Sequence, residues 1–271
     1  MKVAALQMVS GASVQANLEQ ALGLLTQASD MGVELAALPE YFCLMGHADT
    51  DKIARREPFG EGPIQEFLRQ AARSLDLWIV GGTVPLVAAD EEHVLNTSMV
   101  FSPQGQCVAR YDKIHLFQFD NGRERYLESA VIEPGRQPVV CDVAARSGEN
   151  WRIGLSVCYD LRFPELYRAL SRQGADLLLV PSAFTYITGQ AHWETLLRAR
   201  AIENLAYVLA PAQGGRHENG RRTWGHSMLV DPWGQVGSLQ AEGPGLVVGE
   251  LVREQLGQWR SQLPALSHRV L

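Results

Sequence analysis

WRIGLSVCYDLRFPELYR, residues 151–168, sets two elements end to end with a cysteine between them. Ile153, Leu155 and Val157 alternate as a buried strand does, and Pro164 with Glu165 reads as the first turn of a helix. Cys158 is therefore predicted at a strand-to-helix junction, where backbone N–H groups lack partners and a side chain is presented outward. Free cysteine taken alone is most often a small buried hydrophobe. What Cys158 does depends on what the rest of the chain brings to it.

The same strand–helix unit recurs on both sides. Upstream, Val3–Met8 reads as a strand, and Ser13 caps a helical pattern carrying Val14, Leu18, Ala21, Leu25 and Ala28. Leu35–Leu38 is a short strand ended by Pro39, Pro63–Ser74 a helix and Leu77–Thr83 a strand. This alternation predicts parallel neighbours. Asn96–Phe101 and Gln106–Tyr111 then flank Ser102-Pro103-Gln104-Gly105, a hairpin signal. A Gly- and charge-rich loop over 119–137 leads to a strand at Val139–Val143. Downstream of the cysteine, the pattern gives a helix near 164–173, a strand at Asp176–Val180, an amphipathic helix over 191–204 and a strand at Ala206–Pro211. Gln213–Trp224 reads as a loop, followed by strands Gly225–Asp231 and Gly245–Leu251 joined through a turn at Pro232-Trp233-Gly234. No low-complexity segment or long linker divides the halves, so residues 1–271 are expected to form one domain. Parallel units combined with hairpins predict an α/β fold in four layers, an α/β/β/α sandwich.

Composition narrows the function. The formal net charge of −6 over 271 residues gives no general reason to bind nucleic acid or an anionic membrane. No HxH, HExxH or CxxC spacing offers a metal site. The four cysteines lack the spacing of a disulfide framework. MKVAALQMVSGAS runs into a strand pattern without a signal-peptide apolar core, and no segment reaches the length of a membrane span. A soluble, cytoplasmic protein is expected.

Three segments share one property: a reactive residue where an apolar strand ends. LAALPEYF places Glu40 there, RYDKIHLF places Lys113 and LSVCYDLRFPE places Cys158. Layered α/β folds gather ligand sites at strand ends. A carboxylate to take the thiol proton, a thiol to attack, and an ammonium with the Tyr159 N–H to meet an oxyanion form a kit for acyl transfer. Glu40 or Lys113 alone would be an ordinary solvated charge.

The segments LPEYF, YDKIHLF and CYDLRFPELYR resemble the Glu, Lys and Cys signatures of the nitrilase superfamily, the carbon–nitrogen hydrolases, and the resemblance runs from KVAALQM through DPWGQV to the C-terminal tail. It implies an α/β/β/α sandwich that forms homodimers or higher homo-oligomers, and a thiol-dependent hydrolase of small-molecule amides with no metal and no organic cofactor. It also implies a second glutamate between Lys113 and Cys158. In RERYLES the candidates are Glu124 and Glu128, and the Glu-Ser pair favours Glu128. The stretch PSAFTYITGQAHWETLLRARAIENLAYVLAPAQGGRHENGRRTWGHSMLVDPWG is similar to the branch that acts on deaminated glutathione. It is less like the ω-amidase branch, which lacks the AQ.GRH run. Gln190 stands where that branch usually has proline. Aromatic and small residues make Phe184 and Thr185 candidates for lining the acyl side, Tyr159 is a candidate to meet substrate through its N–H, and Arg162 and Arg216 are candidates for holding substrate carboxylates by bidentate contacts. Rival expectations are an ω-amidase acting on α-ketoglutaramate, an N-carbamoyl amino-acid hydrolase, or a catalytically silent binding protein of the same fold.

Overall fold

Side chains of the Lys2–Gln7 strand alternate between two cores. Val3 and Ala5 face a core shared with Ile153, Leu155, Leu177 and Leu179, while Ala4 and Leu6 face Leu18, Leu25 and Leu68 on helices. A strand that is apolar on both faces must be covered on both. That requirement generates the layers of this computed structural model, which describes residues 1–122 and 125–270.

The first sheet runs in the order Gly245–Glu250, Lys2–Gln7, Leu35–Ala37, Trp78–Val80, Val94–Phe101 and Val84–Val87; Cys107–Asp112 and Ile132–Glu133 also pair with Val94–Phe101. Its Lys2–Gln7, Leu35–Ala37 and Trp78–Val80 strands are parallel. The second sheet runs Val139–Ala144, Asn150–Leu155, Leu177–Leu179, Tyr207–Ala210, Ser227–Val230 and Val236–Gln240, and its second to fourth strands are parallel. Helices Val14–Asp30 and Pro63–Leu75 cover the first sheet. Helices Pro164–Arg172 and Tyr186–Asn204 cover the second through Tyr167, Leu170, Trp193 and Leu197. The expected α/β/β/α layering is present, with Ser13 capping the first helix through Ala16 N–H.

Three local expectations need correction. The helix expected over 191–204 begins at Tyr186, because the Thr185 hydroxyl accepts from Thr188 N–H and caps it. Gly189, in its first turns, is required by packing: a Cβ there would lie 2.2 Å from Cβ of Trp224. The strands expected at 225–231 and 245–251 belong to different sheets. Val236–Gln240 takes the place beside Ser227–Val230, and Gly245–Glu250 crosses to pair with Lys2–Gln7. Val236–Gln240 is a largely exposed edge strand, so no core pattern announces it. Finally, two short hairpins interrupt the expected loops, Gln118–Asp120 with Arg125–Leu127 and Gly214–Arg216 with Arg222–Trp224.

One glycine fixes the turn that follows Leu35–Ala37. Gly82 has φ of 51°, and a Cβ on it would lie 2.1 Å from the Pro39 carbonyl oxygen, one residue before Glu40. Gly82→Ala is expected to lower stability by about 1–3 kcal/mol or more, through a left-handed backbone and a backbone clash. Turnover should fall with it, because the displaced segment carries Glu40. Thermal and denaturant midpoints check this, and an unchanged midpoint would contradict so close an approach.

Candidate active site

Strand ends from both sheets meet at one point. Glu40 follows Leu35–Ala37, Lys113 follows Cys107–Asp112, and Cys158 follows Asn150–Leu155. All three side chains are buried. Lys113 Nζ lies 2.9 Å from Glu40 Oε1, which also accepts from Asn96 Nδ2 at 3.0 Å, while Ala183 N–H donates to Glu40 Oε2 at 3.0 Å. The second sheet thus supplies both the cysteine and a backbone donor that orients the first sheet's carboxylate. Gln213 Nε2 donates to the Glu40 carbonyl at 3.1 Å and to Ser10 Oγ at 2.8 Å, fixing the Glu40 backbone as well.

Glu128 completes the cluster. Lys113 Nζ lies 3.0 and 2.8 Å from its two oxygens, and Tyr41 hydroxyl and Phe117 N–H donate to it at 2.8 and 2.7 Å. Of the two glutamates the sequence left open, Glu128 stands at Lys113; Glu124 lies outside the described residues. A buried ammonium is costly unless paired, and here the carboxylates of Glu40 and Glu128 both bond the one lysine.

The electrostatics follow from that crowding. Burial works against the Lys113 charge, but Glu128 and Glu40 outweigh it and hold the ammonium above the ordinary lysine range. Burial likewise disfavours the Glu128 carboxylate, yet Lys113 and the two donors keep it below its ordinary value. Glu40 goes the other way: its complete burial, with Glu128 nearby, raises it against the pull of Lys113. The Cys158 thiol is pushed well up by burial and by the facing Glu40 carboxylate, with Lys113 opposing. At rest the thiol is protonated beside a group whose affinity for a proton is also raised. Raising the proton affinity of Glu40 makes it a stronger base toward that thiol.

Cys158 has φ of 51°, an uncommon conformation for a residue with a side chain, and its N–H donates to Pro181 carbonyl at 2.9 Å. It opens a 3-10 turn over Cys158–Arg162, whose first N–H groups, that of Tyr159 included, have no partner within the turn. The turn is locked by a residue that sequence reasoning missed. Asp160, fully buried, accepts from Val157 N–H at 2.8 Å, Tyr111 hydroxyl at 2.7 Å and His115 N–H at 3.0 Å; His115 Nδ1 lies 2.7 Å away. Asp160 therefore ties the cysteine turn to Tyr111 and His115, on either side of Lys113. The available signal was an acid in the first turn after a strand, but its two distant partners are not readable from that spacing.

A narrow cleft opens over the cysteine, lined in part by Phe117, Tyr159, Arg162, Phe184 and Thr185. Arg162 lies over the rings of Tyr159 and Phe184, 5.8 and 5.4 Å from their centroids. The structure thus brings Tyr159, Arg162, Phe184 and Thr185 to Cys158. Arg216 is not among the residues lining that cleft: it is exposed, opposite Arg222 on the short hairpin. Gln190 is exposed and also outside the cleft. The arrangement can transfer a proton, present a thiol to a carbonyl carbon, and meet the resulting oxyanion with positive charge.

The carbon-nitrogen hydrolase family profile matches residues 2–261. A deaminated glutathione amidase of Synechocystis sp. (strain PCC 6803 / GT-S) is 44% identical over 271 residues, which cover 98% of this chain and 97% of that protein. Among solved structures, Saccharomyces cerevisiae Nit3, a member of branch 10 of the nitrilase superfamily, superposes with a TM-score of 0.89 at 28% identity, covering 100% of this chain and 97% of that one. An amidase mutant from Nesterenkonia sp. AN1, showing the result of acrylamide addition at its active-site cysteine, superposes with a TM-score of 0.77 at 28% identity. The shared length is 97% of this chain and 98% of the amidase.

Proposed function

Because the chain belongs to the carbon–nitrogen hydrolase family, we propose that it hydrolyses a linear amide through a thioester on Cys158, with deaminated glutathione as the substrate. The observation that carries the mechanism is the buried contact of Lys113 Nζ with Glu40 Oε1 at 2.9 Å, beside a thiol at the floor of a cleft. The substrate assignment rests on the name of the Synechocystis relative and on the length over which it matches.

Glu40 takes the Cys158 proton as sulfur attacks the amide carbon. The carbonyl oxygen becomes an oxyanion that meets the Lys113 ammonium and the Tyr159 N–H. Glu40, now the acid, protonates the departing nitrogen, and the C–N bond breaks to leave an acyl thioester. Glu40 then takes a proton from water, hydroxide adds to the thioester carbon, and the collapse returns the proton to sulfur and releases the acid. With deaminated glutathione the products are 2-oxoglutarate and Cys-Gly. Glu128 is a positioning residue: its carboxylate, anchored by Tyr41 and Phe117, keeps Lys113 charged and aimed.

We read residues 1–271 as one carbon–nitrogen hydrolase domain, supported by a core that joins side chains of both sheets. The cysteines, all free, support a reducing compartment, which we take to be the cytoplasm. Assembly as a homodimer or higher homo-oligomer rests on the family resemblance. A release assay comparing deaminated glutathione, α-ketoglutaramate, glutamine and N-carbamoyl amino acids on one preparation tests the substrate. Deaminated glutathione should show the highest kcat/KM. A higher value for α-ketoglutaramate would make the protein an ω-amidase.

A further inference from the structure

The enclosed part of the cleft over Cys158 is about 10 Å³, far below the roughly 300–1,000 Å³ typical of sites that enclose a drug-sized ligand. A glutathione-sized amide therefore extends beyond it. One flank offers a second pocket of about 120 Å³, lined by Lys52, Arg125 and Arg221 against the single carboxylate of Asp49.

Two walls join this pocket to the reaction centre. On one side Met45 lines the pocket and clusters with Tyr41 and with Ala183, which lines the cleft. Lys52 Nζ lies 4.8 Å from the Tyr41 ring centroid, and the Tyr41 hydroxyl reaches Glu128. On the other side Tyr126 lines the pocket, with its ring centroid 5.7 Å from that of Phe117, which lines the cleft.

The cations differ in their partners. Lys52 is bonded to Asp49 at 2.9 Å, and Arg125 stands 3.9 Å from Asp120. His47, at the rim, lies 3.6 Å from Glu218. Arg221 forms no ion pair among the described residues; its guanidinium lies 4.9 Å from the Tyr126 ring centroid. It is half-buried, and its backbone is held in place. His217 N–H donates to the Arg221 carbonyl at 2.8 Å, and Arg221 N–H donates to Asn219 Oδ1 at 3.0 Å. Asn219 Nδ2 in turn donates to Gly46 carbonyl, across the pocket, at 2.6 Å. The His217 ring is fixed between Ser10 carbonyl and Thr223 hydroxyl, each at 2.8 Å. Arg221's charge reaches Asp49 across the pocket, but a planar cation held against an aromatic ring, with no carboxylate bonded to it among the described residues, is preorganised for an incoming one.

Resting on the substrate reading above, we propose that Arg221, assisted by Lys52, binds the carboxylate at the far end of the leaving group, and so selects peptide amides with a free C-terminus over primary amides. Arg162 holds the α-keto acid end in the cleft, so the two carboxylates of the substrate are read by two separate arginines. The amide bond between them lies over Cys158.

The test compares deaminated glutathione with its analogue carrying a terminal glycine carboxamide, on the wild-type protein and on Arg221→Ala and Arg221→Lys. The wild-type protein should prefer the free acid by about ten- to a hundredfold in kcat/KM, the range of a charge-assisted contact. In Arg221→Ala that ratio should collapse toward one, with a several-fold smaller loss on α-ketoglutaramate, which has no such carboxylate. Arg221→Lys should keep part of the ratio, showing that charge and not folding is at issue. A ratio that survives in Arg221→Ala, or an equal loss on all three substrates, overturns the subsite while leaving the substrate reading standing. A wild-type protein that turns over α-ketoglutaramate and neither tripeptide analogue overturns the substrate reading, and the subsite with it.

Discussion

Cys158→Ala abolishes amide turnover, a fall on the order of 10⁴-fold or more, as loss of a nucleophile that acts in concert with its base commonly does. The fold survives, because the change removes one sulfur from a site already next to an open cleft. Alanine meets the same left-handed backbone at φ 51° that cysteine does, so no new strain is introduced. Thermal midpoint and turnover measured together separate the two effects; retained turnover in a folded variant would remove the thiol from the mechanism. The remaining cysteines stand outside the Glu40–Lys113 cluster. Cys43 Sγ points to the Thr83 carbonyl at 3.6 Å, and Cys107 is exposed. Cys141 is pushed up to about 12 by burial and by Asp142. Alanine at each should keep turnover, with Cys43 costing stability because it is buried.

Glu40→Gln gives the second large effect and a more discriminating one, because turnover and thiol acidity should move in opposite senses. Turnover falls by about 10²–10⁴-fold with loss of the general base. The thiol, however, becomes easier to ionise. Burial raises it in both proteins, but the facing carboxylate that disfavours a neighbouring thiolate is gone, while the Lys113 ammonium that favours it remains paired with Glu128. The pH profile of Cys158 alkylation by iodoacetamide should therefore shift to lower pH in Glu40→Gln. A midpoint that stays put or rises would mean that Glu40 does not face the thiol with its charge.

How much of this was legible in the sequence differs residue by residue. Glu40, Lys113 and Cys158 each follow the end of a strand, a local pattern, and the packing of the two sheets against each other brings those ends together. Glu128 was legible only through family resemblance, since an acid in a charged loop carries no local mark of burial. Asp160, Asn96 and the Ala183 N–H act across distances in sequence that no spacing rule reaches. Asn96 and Ala183, for example, bond Glu40 from 56 and 143 residues away. The choice between Arg216 and Arg221 was hidden for a different reason. Which arginine of Gln213–Trp224 faces the protein depends on whether that loop forms a hairpin, and on its register, where a slip of one residue reverses the faces. Gly214–Arg216 pairs with Arg222–Trp224, leaving Arg216 exposed and Arg221 in the turn that closes on Gly46. The second sheet's edge at Val236–Gln240 escaped because an exposed strand has no core pattern to read.

The thioester is the central claim, and acid quenching during turnover reads it directly. Wild-type protein mixed with saturating deaminated glutathione, quenched within the first turnovers and digested, should carry a single 2-oxoglutaryl group on the peptide containing Cys158. The label should be absent from Cys158→Ala and lost from the wild-type peptide on treatment with hydroxylamine. Full turnover with no acyl group on that peptide, or with the group on a different residue, would contradict covalent catalysis by Cys158.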